Sequence, residues 1–245
     1  MSINIYIGYD HREQAAYDVC KHSILKYCSE ANIIPLNHKD LRKKGLFTRE
    51  WKIKSDGTFE DIRDGRPFST EFAFTRFLVP HIQKEGWALF IDCDMLFTSD
   101  VRDLFAKIDD SKAVMVVKHD YTHTDKPLEA IKMDGCIQTS YARKNWSSLI
   151  LWNCSHSANQ SLGLEQINYM SGSWLHAFSW LKDEEIGKLP ESWNWLEGHS
   201  NANIMPDNIH YTRGGPWFKD YKNVEYAKDW LAELGEMKLE ENEIS

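Results

Sequence analysis

The chain has 245 residues, 42% of them hydrophobic and 27% charged, and carries a formal net charge of −8. Its length supports one well-buried α/β domain with no Pro/Gly/Ser-rich linker, and its charge excludes a general nucleic-acid surface, which needs clustered Lys and Arg against phosphate. Cys20, Cys28, Cys93, Cys136 and Cys154 are widely spaced with no CxxC pair, which fits neither a disulfide framework nor a zinc site and points to a reducing compartment.

Met1-Ser2-Ile3-Asn4-Ile5 enters a strand directly, without a basic leader, and no apolar segment is long enough to span a bilayer, so a soluble, cytoplasmic protein is expected. Triplets such as Asn153-Cys154-Ser155 then carry no glycosylation meaning. Ile3, Ile5 and Ile7 alternate with polar neighbours up to Gly8-Tyr9-Asp10, and Ala16, Val19, Cys20, Ile24 and Tyr27 follow at helical spacing. Asn32-Ile33-Ile34-Pro35-Leu36 reads as a second strand, placed at an edge by its proline. Residues 39–67 read as a polar surface excursion. Phe72 to Val79 is apolar at helical spacing and is expected to stop near Pro80. Thr98 or Ser99 is placed to cap a short helix from Asp100 to Phe105. Ala113–Val117 and Leu149–Asn153 are continuous apolar runs, as expected of central strands covered on both faces. Residues 225–245 read as an acidic terminal helix and tail. These alternations imply a parallel or mixed sheet with helices packed on it.

Leu89-Phe90-Ile91-Asp92-Cys93-Asp94-Met95-Leu96-Phe97 carries the clearest chemistry. Residues two apart in a strand share a face, so Asp92 and Asp94 can reach one cation together. A buried carboxylate pair is costly without such a partner, which places the pair at a strand end, in a cleft, on a metal. Ligands of open α/β sheets bind beyond the carboxyl ends of the strands. Gly8-Tyr9-Asp10-His11, Asp92-Cys93-Asp94 and Asn153 are all read at such ends. The first loop has only Gly8 where a Rossmann dinucleotide loop needs GxGxxG.

The helix through Arg76 and Leu78, the run Phe90-Ile91-Asp92-Cys93-Asp94, and His210-Tyr211-Thr212-Arg213-Gly214-Gly215-Pro216-Trp217 together resemble the family 8 glycosyltransferases, in order and over most of the chain. The resemblance implies a GT-A fold over residues 1–224, a Rossmann-like mixed sheet flanked by helices. It implies retaining transfer of a hexose from a nucleotide-sugar donor, UDP-linked by the family's habit, to a carbohydrate-type acceptor. Asp92, Asp94 and His210 would ligate Mn²⁺ (or Mg²⁺), Arg76 would sit near the donor sugar or the DxD loop, and Tyr9 and Asp10 would lie against the nucleoside. Asn153, Gly214, Gly215 and Trp217 would border the donor, although Trp217 beside Pro216 also suits a loop anchor. Two carboxylates and an imidazole suit Mn²⁺, and a cation there offsets charge on a departing diphosphate.

The chain departs from that pattern in three places. Gly215 stands where the family has a lysine before Pro-Trp, so Arg213 becomes the candidate grip on the diphosphate, its guanidinium offering a planar fork for phosphate oxygens. Asn145-Trp146-Ser147-Ser148 replaces an Asn-Ser-Gly strand entry. Leu164-Glu165-Gln166-Ile167-Asn168 stands for an Asp-Gln-Asp segment, which makes Glu165 and Gln166 the candidates on the reacting face, against ordinary helix surface. Lys118-His119-Asp120-Tyr121 is a candidate acceptor contact, and Trp174, Trp180, Trp193 and Trp195 either stack on sugars or fill the core. Two other readings compete. The Asp-Cys-Asp strand also resembles haloacid-dehalogenase-type phosphatases, though those carry the motif on the first strand. A protein that binds sugar nucleotides without turnover is favoured by the missing lysine.

Overall fold

The computed structural model describes residues 3–55, 57–120, 131–132, 136–137 and 143–244. Alternating apolar residues build β1 (Asn4–Gly8), covered on both faces because Tyr6 is also buried and donates its hydroxyl to Gln83. After α1 (Gln14–Tyr27) the chain returns as β2 (Asn32–Leu36), parallel to β1 and at the sheet edge, where Pro35 lacks only an outward donor.

The segment expected to be irregular forms structure of its own: α2 (His38–Lys43), capped by Asn37, then an antiparallel sheet of β3 (Trp51–Ile53), β4 (Phe59–Asp61) and β5 (Pro67–Phe68). Trp51, Phe59, Phe68 and Phe74 meet through ring contacts, and fully buried Arg49 binds Asp61 and the carbonyls of Ile167 and Met170 beneath them. Downstream, the apolar stretch is a 3₁₀ turn (Thr75–Leu78) running into α3 (Val79–Gln83). Pro80 opens that helix rather than closing it, since a proline in the first turn gives up no hydrogen bond.

The core strand β6 (Trp87–Ile91) is wholly buried and is followed by β7 (Met95–Phe97), α4 (Val101–Phe105) and β8 (Val114–Val116). Asp100 caps α4 in place of Thr98 or Ser99, whose hydroxyls donate to Pro206 and Asp207 instead. Two-residue strands β9 (Ile131–Lys132) and β10 (Cys136–Ile137) pair antiparallel. Then come β11 (Leu149–Asn153), α5 (Ser157–Gln160), α6 (Leu164–Tyr169), α7 (Gly172–His176), β12 (Ile186–Lys188), β13 (Trp195–Leu196), β14 (Asn208–His210) and α8 (Ala227–Ile244).

The main sheet runs β12-β8-β11-β6-β1-β2, with β11 alone antiparallel to its neighbours. All five parallel strands therefore deliver their carboxyl ends to one edge, and β11 begins at that edge. A second sheet, β13-β14-β7, is built onto the continuation of β6. No described helix is long and apolar enough to cross a membrane.

Candidate active site

Two neighbouring strands fix the Asp-Cys-Asp turn. Where β6 ends, the Asp92 amide still donates to Ser148 at the start of β11 (2.9 Å), and the Asp94 carbonyl accepts from Tyr211 just past β14 (2.9 Å). Cys93, between them, is buried in the core, so the turn cannot rotate as a free loop. Antiparallel pairing of β14 with β7 sets His210 opposite Met95, and its Nε2 lies 3.3 Å from Asp94 Oδ1. One ligand atom each from Asp92, Asp94 and His210 lies within 4.8 Å of the others.

The imidazole is oriented from behind. Asn194 spends its amide nitrogen on Ser148 Oγ (2.9 Å), leaving its carbonyl oxygen to accept from His210 Nδ1 (2.9 Å). With the proton assigned to Nδ1, Nε2 presents a lone pair toward Asp94. A lone pair and a carboxylate oxygen at that distance attract only through a shared proton or cation, so this donor set fits a divalent ion. Arg76 holds the other carboxylate: its guanidinium meets Asp92 Oδ1 at 2.9 Å while bonding the Ser147 and Ala73 carbonyls (2.7 and 3.1 Å).

These groups face a cleft of about 970 Å³, counted with its open mouth, bordered by the β4–β5 hairpin, the start of β11, and Gly172, Ser173 and His176 of α7. His176 meets Ser147 Oγ at 2.7 Å; burial, then Arg76 and Arg49, hold its pKa well below the usual histidine range, so it is a neutral polar group. Behind the turn, Glu13 is buried, and burial followed by Asp94 and Asp10 pushes its pKa well up.

Several expected residues stand elsewhere. Asn153 is a correction: β11 runs antiparallel, so Asn153 sits opposite Trp87 at the far edge of the sheet, donating to the carbonyls of Asp110 and Lys112. Glu165 and Gln166 are another, because Glu165 points to solvent and Gln166 accepts from the Gly163 amide to cap α6 (2.8 Å). The neighbouring α7 lines the cleft instead. Arg213 is a third: its guanidinium forks onto buried Glu197 at 2.8–3.0 Å and does not line the cleft. Trp217 packs on Tyr211, Phe218 and Trp230 in a satellite core. Gly214 takes a φ of 133°, and a side chain at Gly215 would run into the Trp217 ring.

Near the turn, Asp10 is fully buried and accepts from Arg12 and the Glu71 amide, while Tyr9 donates to Gln14 (2.5 Å). Trp193 and Trp195 fill cores, and Trp174 and Trp180 join Trp152 in an aromatic stack. Lys118, His119 and Asp120 border a second cavity with Lys188, Glu191 and His199, and Tyr121 lies outside the described residues.

Sequence reasoning marked Asn145-Trp146-Ser147-Ser148 only as a strand entry, and it missed Gly172, Ser173 and His176 as cleft lining and the support from Asn194. Ser147-Ser148 had a signal, the start of an apolar run, which becomes a site signal once that run is antiparallel. No pattern marks His176 or Asn194.

No family model matches the chain. Among solved structures, it superposes on the bifunctional glycosyltransferase WbbM with a TM-score of 0.60 at 13% identity, covering 95% of this chain and 49% of that one. GlyE of Streptococcus pneumoniae gives 0.60 at 14%, covering 96% and 60%, so the chain spans about half to three-fifths of these two. The galactosyltransferase LgtC, solved with donor and acceptor sugar analogues, gives 0.57 at 12% and covers 96% of both chains. These likenesses show the GT-A glycosyltransferase fold. A curated plant protein is far nearer in sequence: Protein CDI of Arabidopsis thaliana is 48% identical over 243 residues, 96% of this chain and 87% of that protein. At that identity over nearly the whole length, the chain belongs to the family of Protein CDI.

Proposed function

We propose that the protein is a metal-dependent glycosyltransferase of the family 8 type, moving a hexose with retention from a nucleotide-sugar donor, UDP-linked, to a carbohydrate acceptor. One observation carries the reading: Asp92, Asp94 and His210 converge at the carboxyl edge of a GT-A sheet, with His210 Nε2 turned toward Asp94 by Asn194. Mn²⁺ or Mg²⁺ held by these side chains offsets negative charge on the diphosphate leaving group. Arg76 fixes Asp92 and keeps its carboxylate facing the cleft. Ser147, Gly172, Ser173 and neutral His176 form the wall on which the sugar lies. The remaining lining carboxylates are Asp61, already bound by Arg49, and Asp64, which accepts from the Arg66 amide. The buried free thiols Cys20, Cys28, Cys93 and Cys154 fit a cytoplasmic enzyme.

Calorimetric titration of UDP with and without Mn²⁺, followed by anomeric NMR of any transfer product, tests the reading. Mn²⁺-dependent UDP binding and a retained anomer support it; an inverted anomer removes the retaining assignment, and metal-indifferent binding removes the site.

Binding without turnover is the second reading, favoured by Gly215 and by the commitment of Arg213 to Glu197, which leave no cation from that loop over the diphosphate. Tight donor binding with no hydrolysis or transfer would select it. The phosphatase reading loses its footing, because the motif follows β6, a central strand of a glycosyltransferase-type sheet, and not the first strand of the chain.

A further inference from the structure

A divalent ion does not by itself balance a departing diphosphate. Asp92 and Asp94 already offset the charge of the ion they would share, and Arg76 is engaged with Asp92 and with the Ser147 and Ala73 carbonyls. A leaving group that gains negative charge as its bond breaks needs a further donor aimed at it. Arg49, Arg12 and Arg213 are engaged too, with Asp61, with Asp10 and the Ser69 carbonyl, and with Glu197. Arg66 is the other arginine among the described residues that line the cleft with Asp92, Asp94 and His210. It is exposed, and among the described residues its guanidinium makes no hydrogen bond or ion pair.

The backbone of Arg66, by contrast, is fixed. The turn between β4 and β5 is closed by bonds from the Asp61 amide to the Arg66 carbonyl (3.0 Å), from the Gly65 amide to the Asp61 carbonyl (2.9 Å) and from the Arg66 amide to Asp64 Oδ1 (2.9 Å). Gly65 makes that turn possible at a φ of 69°. Pro67 pairs with Glu60, the Phe59 and Phe68 rings stack at 5.3 Å, and the Arg49–Asp61 pair pins the base of the hairpin. A guanidinium on such a turn can engage a ligand without breaking any existing contact.

We propose that Arg66 grips the donor's diphosphate in place of the lysine that Gly215 lacks, an inference that rests on the sugar-nucleotide reading of the cleft. Its planar fork offers two N–H groups to phosphate oxygens, and its charge does not titrate near neutral pH. A cation from this turn supplies what the Gly215 loop does not.

Calorimetric titration of the full-length chain with UDP, GDP and inorganic pyrophosphate, each in the presence of Mn²⁺, tests the proposal. Arg66→Ala is expected to weaken whichever of these the parent binds by about tenfold to a hundredfold, the loss of a charged hydrogen-bonding group. Arg66→Lys, which keeps the charge and loses the fork, is expected to recover part of that. Both variants are expected to keep the parent's ligand-free melting temperature and Mn²⁺ affinity. Equal diphosphate affinity in the parent and Arg66→Ala overturns the proposal and leaves the reading of Asp92, Asp94 and His210 standing. A loss of affinity that comes with a lower ligand-free melting temperature and is not recovered by Arg66→Lys also overturns it, returning Arg66 to the hairpin. A parent that binds none of the three probes with Mn²⁺ removes the sugar-nucleotide reading and this proposal with it.

Discussion

Gly215 occupies the position where the resembling family has a lysine, and its surroundings give a reason: any side chain there meets the Trp217 ring, which packs on Tyr211 and Trp230. Gly215→Lys is therefore expected to displace Trp217 and cost about 1–3 kcal/mol in urea unfolding, with no gain in donor affinity. Arg213→Ala leaves Glu197 buried without its guanidinium, a loss of about 3–5 kcal/mol for a broken buried pair; a drop in donor affinity with unchanged stability would return Arg213 to the phosphate. For Asp94→Asn, the nearby carboxylates Glu13, Asp10 and Asp92 decide the sign. Removing one negative charge from that group should leave the metal-free protein at least as stable, while the stabilisation by Mn²⁺, about 2.7 kcal/mol at a hundredfold excess over Kd, disappears from thermal melts. Glu71 supplies a pH prediction. Its folded pKa lies below the ordinary 4.5, so its contribution is complete above that value and drains away as pH falls toward about 2. The stability gap between the parent and Glu71→Gln should close across that window, and a constant gap would contradict it. Asp92 and Asp94 were legible because period-two geometry within one strand needs no tertiary knowledge. The partner of Arg213 was not, because β13 and β14 meet only in the folded sheet.

At the scale of elements, composition and periodicity locate strands but carry no direction. Leu149–Asn153 was recognisable as a buried strand, yet its antiparallel sense moved Asn153 to the wrong edge of the sheet and brought Ser147 and Ser148 to the site. Pro80 misled in a related way, since a proline marks a helix start as readily as a stop. The β3–β5 sheet was invisible in a polar stretch because its stability comes from aromatic contacts and from Arg49, which joins β4 to the carbonyls of Ile167 and Met170 at the end of α6. Arg49→Ala is expected to cost about 3–5 kcal/mol, and Arg49→Met with Asp61→Leu to recover much of it. A small effect in denaturant unfolding would show that this pair does not hold the hairpin beside the cleft.

Over the whole molecule, five parallel strands and one reversed strand concentrate chemistry at a single edge. There β6 supplies the carboxylates, β14 the imidazole, the 3₁₀ turn Arg76, and α7 a wall. The main core anchors the first of these, through Phe90, Ile91 and Cys93; the satellite core anchors the second, where Trp230 of α8 packs with Tyr211 and Trp217. Local sequence reached the paired carboxylates Asp92 and Asp94 and the sheet class. The cleft wall escaped it because it is assembled from segments whose only common feature is where they end up. Release of nucleoside diphosphate from a panel of sugar nucleotides, followed in the presence of Mn²⁺, in EDTA, and with Asp94→Asn, tests the central claim most directly, since donor hydrolysis needs no acceptor. The account predicts slow Mn²⁺-dependent release from at least one donor, abolished by EDTA, restored by Mn²⁺ and lost in Asp94→Asn; full release in EDTA-treated protein or in the variant would contradict it.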